Sequence, residues 1–216
     1  MVTKECVHSC EFNRLFTKSV PHLLEGIFFS LDYDSFAACR DVCKAWKELH
    51  SSELYQRKAE ELSERKRDNE KKLCQYSQDG KYREVWNLLT KGVNPNCADT
   101  RYGDTRYGGS PLHYATSQGH QNVVELLLNM GADSNLANKG GCTPQHLAAI
   151  SNNEDIFKLL INKGANPNVA DMNGQTPIHF TEINDQKDVV KMFLEAGADT
   201  SKKDSNGPTP LSWANK

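Results

Sequence analysis

The sequence predicts an all-α fold in three parts: three short helices over residues 20–52, a helical linker over 53–72, and an α-solenoid of paired helices joined by β-hairpin turns over 73–216. Three observations predict it. Pro111, Pro144, Pro177 and Pro210, in SPLHYA, TPQHLA, TPIHFT and TPLSWA, recur every 33 residues. Gly131, Gly164 and Gly197, in GAD, GAN and GAD, keep the same period. Segments such as NVVELLLNMG and DVVKMFLEAG place their apolar residues at helical spacing. A fixed period of this length marks a stack of small units, each packed mainly on its neighbours.

The period divides the solenoid into units at 73–107, 108–140, 141–173 and 174–206, with a partial unit at 207–216. In each, Ser or Thr before Pro is an N-cap followed by a first-turn residue. The hydroxyl accepts an orphan amide of the helix, and proline lacks only an amide that would have no partner there. A short helix is therefore expected to start at each proline. A second helix ends at Gly, which supplies the left-handed closing conformation. The first unit, LCQYSQDGKYREVWNLLTKG, lacks the TPLH opening, as expected of a terminal unit that covers the end of a stack. At the other end the chain stops at Lys216 with VVKMFL only partly covered, so either the stack continues beyond this sequence or that end meets a partner. Asn152-Asn153 and Asp185-Gln186 replace Gly-His between paired helices, and looser turns are expected there.

One interval breaks the rule. From Gly92 to Gly131 is 39 residues, and the six extra ones fall in DTRYGDTRYGG, residues 99–109. The segment repeats TRYG and displays Arg101, Tyr102, Arg106 and Tyr107, residue types favoured at protein interfaces.

The repeating motif resembles the ankyrin repeat, a 33-residue unit with the signature T-P-L-H-x-A. The resemblance implies that His113, His146 and His179 are structural, hydrogen-bonding between units. A target-binding surface is expected from the 99–109 finger together with Tyr114, Ser117, Leu147, Ser151 and Phe180; the alternative for the finger is a duplicated, mobile loop with no partner. Asn96, Asn135 and Asn168 each stand eight residues after a leucine (Leu88, Leu127, Leu160). The expected role is turn formation; the resemblance to ankyrin proteins implies asparaginyl hydroxylation as the alternative.

Upstream, VPHLLEGIFFSLDYDSFAACRDVCKAWKEL (20–49) reads as three short helices. Leu24, Ile27 and Leu31 share one face, Asp32 to Asp34 form a turn, and Val42, Trp46 and Leu49 share another face. So small a piece builds little core alone and is expected to need a partner. Its proline, L-x-x-I-x-x-x-L and V-C-x-x-W resemble the F-box. The resemblance implies that Pro21, Leu24, Ile27, Leu31, Val42, Cys43 and Trp46 dock onto a Skp-family adaptor, and through it onto a cullin-RING ubiquitin ligase.

Between the two, ELYQRKAEELSERKRDNEKKL has no Pro or Gly and mixes both charge signs, as a solvated helix does. Arg65, Lys66, Arg67, Lys71 and Lys72 are interrupted by Asp68 and Glu70, which weakens a nuclear-import reading. A net charge of -2 gives no general attraction to nucleic acid or anionic membrane, and neither is expected as a partner.

The seven cysteines, Cys6, Cys10, Cys39, Cys43, Cys74, Cys97 and Cys142, are odd in number and scattered, the pattern of reduced packing thiols. Cys6, His8 and Cys10 lack the second ligand pair of a structural zinc site, so residues 1–19 are expected to be a tail and no metal or cofactor is assigned. No phosphate loop, nucleophile–base pair or carboxylate pair stands out, so no catalytic residue is assigned. The expected role is a substrate receptor in the cytoplasm, or in cytoplasm and nucleus. The alternatives are an ankyrin scaffold or inhibitor unconnected with ubiquitin, and a pathogen effector that borrows a host ligase.

Overall fold

The structure, a computed structural model, describes residues 53–99, 109–183, 187–205, 207 and 209–210. The chain divides into two compact units, Met1–Asp68 and Asn69–Lys216. Among the described residues there are helices and no strands: α1 (Glu53–Gln78), α2 (Tyr82–Thr90), α3 (Pro111–Ser117), α4 (Gln121–Asn129), α5 (Pro144–Ile150), α6 (Glu154–Asn162), α7 (Pro177–Ile183) and α8 (Lys187–Glu195). The three helices expected over 20–52 lie outside the described residues. Of the first unit, residues 53–68 are described and form the leading part of α1, with Lys58 Nζ paired to Glu61 at 3.3 Å.

In the second unit, α3, α5 and α7 begin at the prolines, as the N-cap pattern requires. A reciprocal cap sets each start. The main-chain N–H of Ser110, Thr143 and Thr176 donates to Nδ1 of the histidine three residues on, at 3.1, 3.0 and 3.0 Å. Histidine thus fills the position that Glu or Gln holds in the usual capping box. Because Nδ1 accepts, the ring proton sits on Nε2, which in two of the three histidines donates across to the next repeat. His113 reaches the Cys142 carbonyl at 3.0 Å and His146 the Gln175 carbonyl at 3.1 Å.

A second device stitches the other side of the stack. Asn135 Nδ2 donates to the Gly164 carbonyl at 3.1 Å, while its Oδ1 accepts from the Asn166 amide at 2.7 Å. Asn96 makes the same pair of bonds with Gly131 and Asp133, and Asn168 with Gly197 and Asp199.

The core runs along the stack between the helix pairs. Leu112 and Ile178 from the first helices, and Leu127, Ile156, Phe157, Leu160 and Phe193 from the second helices, are fully or almost fully buried. The rings of Phe157 and Phe193 lie 4.3 Å apart between centroids, joining α6 to α8. Gln145 takes the core position that Leu112 and Ile178 hold in their repeats. It is buried, and neither its amide oxygen nor its nitrogen has a hydrogen-bond partner.

The turn at Asn152-Asn153 is not loose. Asn152 adopts φ 51°, the left-handed conformation taken at φ 76° by Gly119 in the preceding repeat. Asparagine tolerates that region better than other residues with a side chain. Asn153 then caps α6, its Oδ1 accepting from Ile156 N at 3.0 Å. His120, its counterpart one repeat earlier, instead reaches back to the Gln78 carbonyl at 3.0 Å. The exchange gives up a bond between repeats for one within the helix. Asp185 and Gln186 lie outside the described residues.

Repeats are joined by tight hairpins without assigned strands. Asn138 N–H donates to the Cys142 carbonyl at 2.9 Å, and Asp171 N–H to the Gln175 carbonyl at 2.8 Å. The side chains of the same two residues hold the turns from inside. Asn138 Oδ1 accepts from Gly140 and Cys142 N–H, and Asp171 Oδ1 from Asn173 and Gln175 N–H. Successive hairpins touch: a Cβ on Gly141, which has φ 79°, would stand 2.8 Å from Met172 N.

Candidate functional site

The residue after each motif histidine is Tyr114, Leu147 or Phe180, one per repeat. The caps fix the histidine inward, which turns the next side chain toward the flank of its helix. All three are partly buried, and α3, α5 and α7 pack side by side, so they form one apolar stripe across three repeats. Phe180 is held edge-on against the His146 ring, with centroids 5.8 Å apart and planes at 76°. Such an arrangement suits aromatic quadrupoles and fixes the ring before any partner arrives.

Ser117 and Ser151 lie one turn further along α3 and just past α5, both exposed. Each hydroxyl donates to its own helix: Ser117 Oγ to the Tyr114 carbonyl at 3.0 Å, and Ser151 Oγ to the Leu147 carbonyl at 2.8 Å. They therefore contribute a small polar rim whose oxygens accept rather than donate. Of the exposed large hydrophobic residues, which also include Tyr82, Trp86, Met130 and Leu194, Ile150 at 48% ends α5 next to Ser151 and Met172 at 71% lies in the hairpin before α7. Sequence reasoning missed both, although Ile150 is the 33-residue equivalent of Ser117 and the signal was there.

Arg101, Tyr102, Arg106 and Tyr107 lie outside the described residues, but the root of their loop is described. Asp99 N–H donates to the Gly109 carbonyl at 3.1 Å, the same closure that the other two hairpins use. Gly109 is pressed against α3, since a Cβ there would stand 2.6 Å from His113 Cβ. Asp99 is buried, and its carboxylate hydrogen-bonds the Tyr114 side chain; burial, then this bond, push the Tyr114 phenol above its ordinary range. The loop root and the stripe thus meet at Tyr114. The adaptor-docking candidates Pro21, Leu24, Ile27, Leu31, Val42, Cys43 and Trp46 also lie outside the described residues.

The titratable groups nearby are placed for structure. Burial depresses His113 to about 4, and burial likewise lowers His146 and His179, so all three are neutral in the ordinary pH range. Among the described residues no group of three or more His, Cys, Asp or Glu could hold a metal ion, and no helix is long and apolar enough to cross a membrane. A pre-set stripe of aromatic and aliphatic side chains with a polar rim can bind another polypeptide by packing.

Comparison with known proteins agrees with the geometry. A family model of three consecutive ankyrin repeats matches residues 73–171, and a single-repeat ankyrin model matches residues 173–205. A probable E3 ubiquitin-protein ligase of Oryza sativa subsp. japonica is 42% identical over 72 residues, covering 33% of this chain and 14% of the relative. An E3 ubiquitin-protein ligase of Arabidopsis thaliana is 40% identical over 72 residues, covering 33% of this chain and 13% of the relative. An ankyrin repeat-containing protein of Schizosaccharomyces pombe is 35% identical over 65 residues, covering 30% of this chain and 28% of the relative. In each case the chain spans less than a third of the relative's length.

Proposed function

We propose, from the premise that this chain belongs to the ankyrin-repeat proteins, that it is the substrate-recognition subunit of a cullin-RING ubiquitin ligase. The repeats hold the protein to be modified, and residues 20–49 hold the Skp-family adaptor. The single observation that carries target capture is the stripe of Tyr114, Leu147 and Phe180, one partly buried apolar residue per repeat, running from the anchored root of the 99–109 loop. The ubiquitin half rests on the F-box resemblance of residues 20–49, and two of the relatives are named as E3 ubiquitin-protein ligases.

In this reading the chain performs no bond chemistry of its own. It converts an encounter between target and ligase into an intramolecular one, and the rate gain comes from proximity and orientation. Repeat stacking supports such a role, because bonds between repeats such as His113 to Cys142 and Asn135 to Gly164 keep the binding residues at fixed spacing. The test is direct binding of a purified Skp-family adaptor to the full chain by calorimetry, with Trp46→Ala as the comparison. Saturable binding that the substitution abolishes supports the proposal. Absence of binding by the unaltered chain removes the ligase half and leaves a plain ankyrin binding module.

A further inference from the structure

We propose that Cys74 and Cys97 form an oxidation-dependent disulfide that clips α1 to the root of the extended hairpin. The two residues lie 23 positions apart in sequence, yet their sulfurs are 4.0 Å apart. Both are reduced, Cys74 fully buried and Cys97 5% exposed. A disulfide needs an S–S distance of about 2.05 Å, so the sulfurs must approach by roughly 2 Å. Cys97 can supply that movement. It lies outside any helix, in a turn where its N–H donates to the Asn94 carbonyl at 3.2 Å, and its sulfur also lies 3.8 Å from the Glu70 carbonyl. Two residues later comes Asp99, whose amide closes the hairpin on Gly109. A bond at Cys97 therefore tethers the loop root covalently to the end of α1.

The chemistry balances with a peroxide as oxidant. Cys97, the less buried sulfur, loses its proton, and the thiolate attacks the O–O bond of hydrogen peroxide. This gives a sulfenic acid and hydroxide, which takes up the proton as water. The Cys74 thiolate then attacks the sulfenic sulfur and expels a second hydroxide, which takes up Cys74's proton. Two thiols and one peroxide yield one disulfide and two waters. Both residues are buried, which restricts access of peroxide and slows the first step, so the clip responds to sustained oxidant rather than to passing exposure. Disulfides in reducing compartments are typically of this transient kind. The proposal does not depend on what the hairpin binds.

The experiment uses the full chain, first reduced and then treated with hydrogen peroxide. Remaining thiols are blocked under denaturing conditions, and the digest is mapped by mass spectrometry. The expected result is a Cys74–Cys97 linked peptide pair as the main intramolecular product, with Cys142 still blocked as a thiol. Closing the 74–97 ring restricts the unfolded chain, so the thermal midpoint should rise by about 5–10 °C and fall back with dithiothreitol. Cys97→Ser should lose the rise; if that variant folds poorly, the comparison of oxidised with re-reduced unaltered chain reads the same quantity. Cys74 and Cys97 both recovered as thiols while Cys142 oxidises would overturn the proposal. So would a link without any thermal shift.

Discussion

The main chain of Asp99 is bonded to that of Gly109, ten positions later, by an N–H to carbonyl contact of 3.1 Å. The two following hairpins close with the same bond between residues 138 and 142 and between 171 and 175, at 2.9 and 2.8 Å. The closure is thus preserved while its span grows from four positions to ten. The six residues that break the 33-residue period fall between Asp99 and Gly109 in sequence, outside the described residues, and the closing bond is the one the shorter hairpins use.

Removing residues 102–107 should therefore leave the fold intact. Thr100, Arg101 and Gly108 would remain between Asp99 and Gly109, with glycine where Gly141 and Gly174 stand in the shorter hairpins. Loop-closure entropy changes only slowly with length, so the thermal midpoint should move by no more than about 2 °C. Circular dichroism checks this. Binding of partner proteins should weaken, because Arg101's neighbours Tyr102, Arg106 and Tyr107 are gone. Partner recovery at full strength would place recognition on the helices alone.

Gln145 is a point of weakness that a single substitution should repair. It is buried in the position of Leu112 and Ile178, with both amide atoms unpartnered. Gln145→Leu keeps the volume and removes two desolvated polar atoms, so unfolding in urea should cost about 1–3 kcal/mol more. An unchanged or lowered urea midpoint would show that the amide is satisfied in solution.

Stability should fall in mild acid. Burial holds the His113 imidazole neutral down to about 4, whereas an exposed histidine titrates near 6.5. Between those values the unfolded chain takes up a proton that the native chain does not. The contribution of His113 is thus complete above pH about 6.5, shrinks as pH falls, and is gone by about 4, a loss of about 3 kcal/mol at most. His146 and His179, also lowered by burial, act in the same direction. Urea midpoints at neutral pH and at pH about 5 test this, with the lower midpoint expected in acid.

The helix starts were legible in the sequence because Ser-Pro and Thr-Pro act locally, through the cap hydroxyl and the ring of proline. The stripe was legible in part: Tyr114, Leu147 and Phe180 follow from the motif, whereas Ile150 needed the period applied to Ser117. The tightness of the Asn152 turn was not foreseen, because glycine's absence was weighed without asparagine's tolerance of positive φ or the cap that Asn153 supplies. Neither the hydroxylation reading nor the turn-forming reading of Asn96, Asn135 and Asn168 includes their dual bonds. Their partners lie in the next repeat, and no local pattern reveals them. The 4.0 Å contact of Cys74 with Cys97 was hidden for the same reason.

The most direct measurement is one pull-down that reads both halves of the proposed receptor at once. The full chain, the double variant Val42→Asp with Trp46→Ala, and the stripe variant Leu147→Asp are expressed in cells, and the Skp-family adaptor and other bound proteins are quantified together. The account predicts that the double variant loses the adaptor, by at least tenfold for a buried interface tryptophan, while keeping its other partners. Leu147→Asp should do the reverse. Adaptor recovery unchanged in the double variant, or no adaptor with the unaltered chain, would contradict it.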